Sequence, residues 1–305
     1  MTLEQEVLGV VFQNPVLLAS GTCGYGEELA EVVELDALGG LVTKALTPAP
    51  RAGNEAPRVT EFAGGMLNSI GLANVGVERF RAEKLPWLAR NVRRAQVLVS
   101  LAGETVGDYA AMIDRLDDAR GFLGYELNVS CPNVEEGGAI FSTREDLLAD
   151  VVRRARRATR RPLVAKLAPN VPDIGRMAAV AVDAGADALT LINTFPGLLF
   201  DVDTRRPVLG AGPGGVSGAG ILPMGVLAVR EASRRVDVPI LGVGGIRTAE
   251  DALQYLLAGA SLVQIGTASF ADPRAAERVK NGLVAYGRRH EIARIDALVG
   301  AGRLD

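Results

Sequence analysis

Short apolar runs recur along the chain, each followed by residues with helical spacing. They are VLLAS (16–20), GLVTK (40–44), VLVSL (97–101), GYELNV (124–129), PLVAKL (162–167), DALTLI (187–192), PILGV (239–243) and SLVQIG (261–266). Most are continuously apolar rather than alternating, as expected for parallel strands covered by helices on their outer side. The intervening stretches carry one apolar face, for example Ile174, Met177, Ala181 and Ala184, or Leu253, Leu256 and Leu257. Pro172 stands near the start of the first of these helices and Thr248 can cap the second. A glycine then ends the helix before the next strand. In "LDALGGLVTK" (35–44), "VDAGADALTLI" (182–192) and "LLAGASLVQIG" (256–266), Gly39, Gly185 and Gly259 fit the left-handed residue just past a helix end. Eight such units with right-handed crossovers predict an α/β fold, a closed (β/α)8 TIM barrel forming one domain over residues 1–305.

Two connections from strand to helix are long: residues 45–74, rich in Pro, Gly and Asn, and residues 193–222, which include "GAGPGGVSGAG". Loops of this length in a compact domain are usually functional. Both follow the carboxyl ends of strands, so they are expected to extend over the C-terminal face, where barrel enzymes build their sites.

Composition narrows the chemistry. The net charge of −3 gives no electrostatic case for nucleic acid or an anionic membrane. No apolar run reaches the length of a membrane span, and the start MTLEQEV lacks an apolar signal core. The expectation is a cytoplasmic protein that engages neither. "RRARRATRR" (153–161) looks basic, but it ends a helix opened by Glu145 and Asp146, a polarity that matches the helix dipole. A solvated face or a subunit contact accounts for it. The single histidine, His290, argues against a Ser-His-Asp triad or a histidine metal site. The two cysteines, Cys23 and Cys131, form no CxxC pair and are too few for an iron–sulfur cluster, which takes about four thiolates.

The strand ends, all on one rim if the barrel forms, carry the candidate chemistry. The last two strands end in "GVGGI" (242–246) and "QIGTA" (264–268). Each alone reads equally as a tight turn, but together at that place they favour a phosphate held by bare backbone N–H groups. Lys44 and Lys166 are two of only four lysines among 33 basic residues, and both end apolar strands. Either could form a Schiff base, stabilise charge on a ligand, or pair with a buried carboxylate. Asn68, Asn128, Asn133 and Asn193, if they converge, would suit a ring edged with N–H and C=O groups. Cys131, beside Pro132 in "ELNVSCPN" (126–133), can act as a base or nucleophile or can be a small buried hydrophobe. Cys23 reads as packing. The residues alone leave open a flavin-free aldolase-type barrel and a non-catalytic binding subunit.

In order and spacing, "SGT" (20–22), "VTKALT" (42–47), "GGMLNSIGL" (64–72), "ELNVSCPNV" (126–134), "AKLAPNV" (165–171), "LINT" (191–194), "GGVSG" (214–218), "GVGGI" and "QIGTA" together resemble the class 1 dihydroorotate dehydrogenases, most nearly the class 1B, NAD-linked catalytic subunit. The resemblance spans nearly the whole chain. It implies an FMN-bearing barrel of pyrimidine synthesis in which Cys131 removes the C5 proton of dihydroorotate while a hydride leaves C6 for the flavin. It makes Cys131 and Lys44 catalytic. It assigns Ser20, Lys44, Ala45, Ser100, Asn128, Lys166, Ile192, Gly218, Gly244, Gly245, Gly266 and Thr267 to FMN. It assigns Lys44, Asn68, Ser69, Ile70, Gly71, Leu72, Asn128, Asn133, Asn193 and Thr194 to the substrate. Ser100 stands where the family usually has Asn. The resemblance further implies a homodimeric core and a second subunit carrying FAD and a [2Fe–2S] cluster. A related flavin barrel acting on dihydropyrimidines such as dihydrouracil is the nearest alternative.

Overall fold

The eight apolar runs pair edge to edge, all in parallel, and close on themselves. The computed structural model describes residues 1–130, 132–133 and 139–303. The barrel strands in chain order are β1 (Val16–Leu18), β2 (Gly40–Val42), β3 (Gln96–Leu101), β4 (Gly124–Asn128), β5 (Leu163–Lys166), β6 (Ala188–Leu191), β7 (Ile240–Val243) and β8 (Leu262–Ile265). β8 returns to β1 through Val263↔Val16, Gln264↔Leu17 and Ile265↔Leu18, so the sheet has no open edge. Each strand lies where the sequence places it, within one or two residues at its ends. This is the (β/α)8 barrel.

Strand side chains alternate in direction, and the two buried clusters separate along that alternation. Val16, Leu18, Val97, Val99, Leu163, Ala165, Val263 and Ile265 pack outward against the helices. Leu17, Val42, Leu98, Val164, Ala188, Leu241 and Leu262 point inward and form a dry layer in the lower barrel. Val7 and Phe12 complete that layer. They come from an N-terminal hairpin, Gln5–Val7 with Val10–Phe12, whose two-residue turn places Leu8 and Gly9 at positive φ.

The outer helices start at side-chain caps. Thr248 and Asp251 form a reciprocal capping box at Ala249–Ala258, and the Asp173 carboxylate accepts the Arg176 N–H at 2.8 Å at Ile174–Asp183. Gly185 (φ 110°) and Gly259 (φ 121°) end helices with positive φ as expected. Gly39 does not. The segment between β1 and β2 carries only a 3-10 turn, Leu35–Ala37, so there is no helix end to cap there. Glycine is needed at 39 for a different reason: a Cβ there would lie 2.0 Å from the Asn14 carbonyl oxygen.

The two long connections are not irregular. Each contributes strands to a four-stranded antiparallel sheet, in the order Phe195–Gly197, Gly214–Ser217, Gly65–Asn68, Val59–Phe62. Gly215↔Asn68 and Val216↔Leu67 join the two loops in register. A Cβ on Gly214 would come within 2.4 Å of the Asn68 carbonyl oxygen, so the close approach of the loops requires glycine there.

The basic run serves the fold. Arg156 pairs with Asp187 at 2.7 Å and also donates to the Thr159 and Arg161 carbonyls. Arg161 donates to the Phe122 carbonyl at 2.8 Å and lies over the Phe122 ring. Among the described residues, no helix is long and apolar enough to cross a membrane.

Candidate active site

Between the barrel mouth and the antiparallel sheet lies a cavity of about 1210 Å³. Its wall draws on the ends of most barrel strands and on both long loops. Lys44, Asn128, Lys166, Asn193 and Thr194 line it, together with Asn68, Ser69, Ile70, Gly71 and Leu72 from the 45–74 loop. So do Ser20, Ala45, Ile192, Gly218, Gly244, Gly245, Gly266 and Thr267. The predicted convergence of amides, lysines and glycines is therefore present in space for these residues.

Three predicted residues stand apart. Cys131 lies outside the described residues. Asn133 is described only through its backbone, which belongs to the short strand Pro132–Asn133. Ser100 does not line the cavity: it is fully buried within β3 and its Oγ has no hydrogen-bond partner. Ser100 shares the inward phase of Leu98 and stands level with the buried Glu126, and its short side chain does not reach the cavity as the longer Lys44, two residues beyond Val42, does.

The amides hold one another in place. Asn193 Nδ2 donates to Asn128 Oδ1 at 3.0 Å, and the Thr194 N–H donates to Asn193 Oδ1 at 2.8 Å. Asn68 Nδ2 donates to the Gly215 carbonyl at 3.1 Å across the two-loop sheet. Tyr109 Oη donates to the Asn128 carbonyl at 2.9 Å from the helix behind. The 68–72 segment is clipped from outside. Asn54 Nδ2 donates to Ser69 Oγ at 2.8 Å, and Asn74 Nδ2 donates to the Leu72 carbonyl at 2.6 Å and to Thr47 Oγ1 at 2.7 Å. These clips hold Leu72 at φ 53°, a conformation that a branched side chain rarely adopts. Sequence reading missed Asn54 and Asn74, although both stand in the loop already marked as functional.

The two lysines differ. Lys44 is half-buried, and among the described residues no carboxylate pairs with it; burial lowers its pKa from the ordinary lysine value, offset in part by the Cys23 thiol. Lys166 is 6% exposed, and its Nζ stands 3.6 Å from Oε1 of Glu126, which is wholly buried. Pairing with a buried carboxylate and lining the cavity are thus both true of Lys166. Cys23 is buried beside them and donates to the Val42 carbonyl at 3.1 Å; burial, with Glu28 adding to it, pushes its thiol up to about 12. It is a packed, inert thiol, as expected.

The opposite wall is bare backbone. Gly244 (φ 123°), Gly245 (φ 77°) and Gly218 (φ 93°) hold conformations that favour glycine. A Cβ on Gly245 would lie 2.7 Å from Leu222 Cβ. Tyr255 Oη donates to the Gly244 carbonyl at 2.7 Å and fixes that turn from below, and Thr267 Oγ1 donates to Ser217 Oγ at 2.8 Å. Exposed N–H groups on a concave glycine wall suit the oxygens of a phosphate.

A barrel whose rim joins two cations, three carboxamides and a glycine cradle in one cavity defines a small-molecule enzyme of the (β/α)8 class. The family model for dihydroorotate dehydrogenase matches residues 2–286, and the chain belongs to that family. It is 48% identical over 296 residues to a protein of Pelobacter propionicus named dihydroorotate dehydrogenase B (NAD(+)), catalytic subunit, covering 97% of each chain. It is 46% identical over 299 residues to the protein of that name in Geobacter sulfurreducens, covering 98% of this chain and 97% of the other. It is also 48% identical over 298 residues to a protein of Solibacter usitatus named putative dihydroorotate dehydrogenase A (fumarate), covering 98% and 97%. Among solved structures, the Eimeria tenella dihydroorotate dehydrogenase in complex with ferulenol shares the fold, with a TM-score of 0.82 at 23% identity over 98% of this chain and 88% of that one.

Proposed function

We propose that this chain is the catalytic subunit of an FMN-dependent dihydroorotate dehydrogenase, which oxidises dihydroorotate to orotate in pyrimidine synthesis. The carrying observation is the meeting of Lys44, Lys166, Asn68, Asn128 and Asn193 in one cavity with a bare glycine wall. The cavity, about 1210 Å³, exceeds the roughly 300–1,000 Å³ usual for one small ligand, which leaves room for a cofactor and a substrate together. Membership of the family leaves the flavin-free aldolase reading without support.

The residues present fit FMN. Gly218, Gly244, Gly245, Gly266 and Thr267 would hold its phosphate, while Ser20, Ala45, Ile192 and Lys166 would flank its ring. When bound, FMN supplies the acceptor for the hydride that leaves C6 of dihydroorotate. The protein's own groups do the rest. The Cys131 thiolate takes the C5 proton, so C5 and C6 become doubly bonded as the C6 hydrogen departs with two electrons. The Lys44 ammonium pairs with the substrate carboxylate. Asn68, Asn128, Asn133, Asn193 and Thr194 meet the N–H and C=O groups of the ring, and the backbone of residues 69–72 closes around it. The Lys166 ammonium opposes the negative charge that reduction places on the flavin.

A second subunit holding FAD and a [2Fe–2S] cluster would supply the route by which these electrons reach NAD⁺. Two relatives named as NAD(+) catalytic subunits support this. A homodimeric core is part of the same reading, and it would cover Leu198, Phe200 and Val202, which stand exposed on the outer loop. One experiment tests the whole reading. Purified protein is reduced anaerobically with dihydroorotate or dihydrouracil while flavin absorbance is followed, and is then reoxidised with fumarate or with NAD⁺ plus the partner subunit. Bleaching by dihydroorotate alone is expected; a colourless protein, or bleaching by dihydrouracil instead, overturns it.

A further inference from the structure

The buried layer beneath Lys166 has no role in the reading above. Glu126 on β4 is wholly buried in the barrel interior. Thr190 Oγ1 donates to its Oε2 at 2.8 Å, and Gln264 Nε2 donates to the same oxygen at 3.1 Å. Among the described residues Oε1 has no hydrogen-bond partner, and it forms an ion pair with Lys166 Nζ at 3.6 Å. One carboxylate oxygen is thus committed to two neutral donors, and the other faces the lysine alone. A carboxylate so deep is costly unless a cation compensates it. Lys166 in turn is 6% exposed and reaches the cavity from directly above.

We infer that Glu126 is a positioning residue: anchored by Thr190 and Gln264, it keeps the Lys166 Nζ aimed at the floor of the cavity, and so sets the reduction potential of the flavin bound there. This rests on the FMN reading given above. Glutamine at 126 would keep the shape and could still accept from Thr190 and Gln264. It would then turn its NH2 toward the lysine, where two donors oppose each other and the charged ammonium loses its partner. Losing Thr190 acts differently toward the same end: a less satisfied Oε2 competes for the ammonium and draws it down the barrel, away from the cavity.

The test reads the flavin directly. Equilibrium reduction of the FMN-loaded protein against a reference dye is followed by absorbance in the wild type, Glu126→Gln, Thr190→Val, Lys166→Met and the double variant Glu126→Gln/Lys166→Met. Glu126→Gln is expected to disfavour the reduced flavin about tenfold, which for a two-electron couple is about 30 mV downward. Thr190→Val, the variant to use if Glu126→Gln fails to fold, shifts the same way by less. In the Lys166→Met background the Glu126 substitution has no further effect. An unchanged potential in both single variants makes the layer purely structural and overturns the inference. A rise in Glu126→Gln, or a shift that persists without Lys166, overturns it too, since Glu126 would then act on the flavin directly. A protein that binds no flavin in any form defeats the FMN reading instead, and the two failures are thereby distinguished.

Discussion

The two ends of the barrel interior are built on the same strands and differ in one step of their alternation. At the N-terminal end the inward positions are Leu17, Val42, Leu98, Val164, Ala188, Leu241 and Leu262, sealed by Val7 and Phe12. Two residues further along, five of these strands present Lys44, Ser100, Lys166, Thr190 and Gln264. One end is dry and owes its stability to area removed from water. The other buries polar groups at a cost that is met only where they pair. The difference teaches where each kind of substitution should act: stability changes belong to the lower layer, and changes in chemistry to the upper layer and rim.

The strongest way to break that division is to remove the proposed base. Cys131→Ala should lower dihydroorotate oxidation about 10²–10⁴-fold, the usual value of general acid–base catalysis. Flavin content and thermal midpoint should stay as in the wild type. Turnover that survives the substitution would refute the mechanism. The opposite experiment is Phe12→Ala. Phe12 is fully buried in the dry layer, and truncating such a ring typically costs about 3–5 kcal/mol. Denaturant unfolding should show that loss while kcat of the folded fraction is unchanged. A fall in kcat per folded molecule would mean that the two ends are coupled.

Lys44 sharpens the comparison, because it is a charge at the rim without a carboxylate partner among the described residues. Lys44→Met should raise KM for dihydroorotate about 10–100-fold, the worth of a hydrogen bond to a charged group. The pH profile carries the sign. Burial lowers the Lys44 pKa, so its proton is lost at a lower pH than that of an ordinary lysine. KM should therefore climb with rising pH before 10.5 is reached. In Lys44→Met that climb should be gone, and a climb that remained would place the titration elsewhere.

The barrel was legible because each strand is a short apolar run that ends in a polar rim, and two of the helices between them stop at positive-φ glycines, Gly185 and Gly259. The rim residues followed from counting strand ends. The sheet over the mouth was not legible: segments such as Gly214–Ser217 lack side chains that could show a period of two, and their pairing is specified by close backbone approach. The N-terminal hairpin escaped for a similar reason, with strands of three residues each. Ser100 was placed at the rim because a strand end was equated with it, whereas its inward phase comes with a side chain too short to reach the cavity, level with the buried Glu126. The same phase would have flagged Glu126, two residues before Asn128 on β4, as a buried acid in need of a cation.

Cys23 offers the smallest and cleanest contrast, a buried titratable group near the site that serves only packing. Its thiol is pushed from 9.0 up to about 12, first by burial and then by Glu28. A raised pKa means that the folded chain keeps this proton when the unfolded chain has lost it. The stabilisation is complete below pH 9 and is lost as pH rises from 9 through 12, at up to about 1.4 kcal/mol per pH unit. Cys23→Ser keeps a donor for the Val42 carbonyl and removes the titration. Tyr25, Tyr125 and Tyr255 are also raised by burial, but they contribute equally to both proteins. The difference between the two stability curves above pH 9 therefore isolates the thiol. The variant should lose stability more slowly with pH, and curves that stay parallel would mean that Cys23 ionises as readily in the folded state as in the unfolded one.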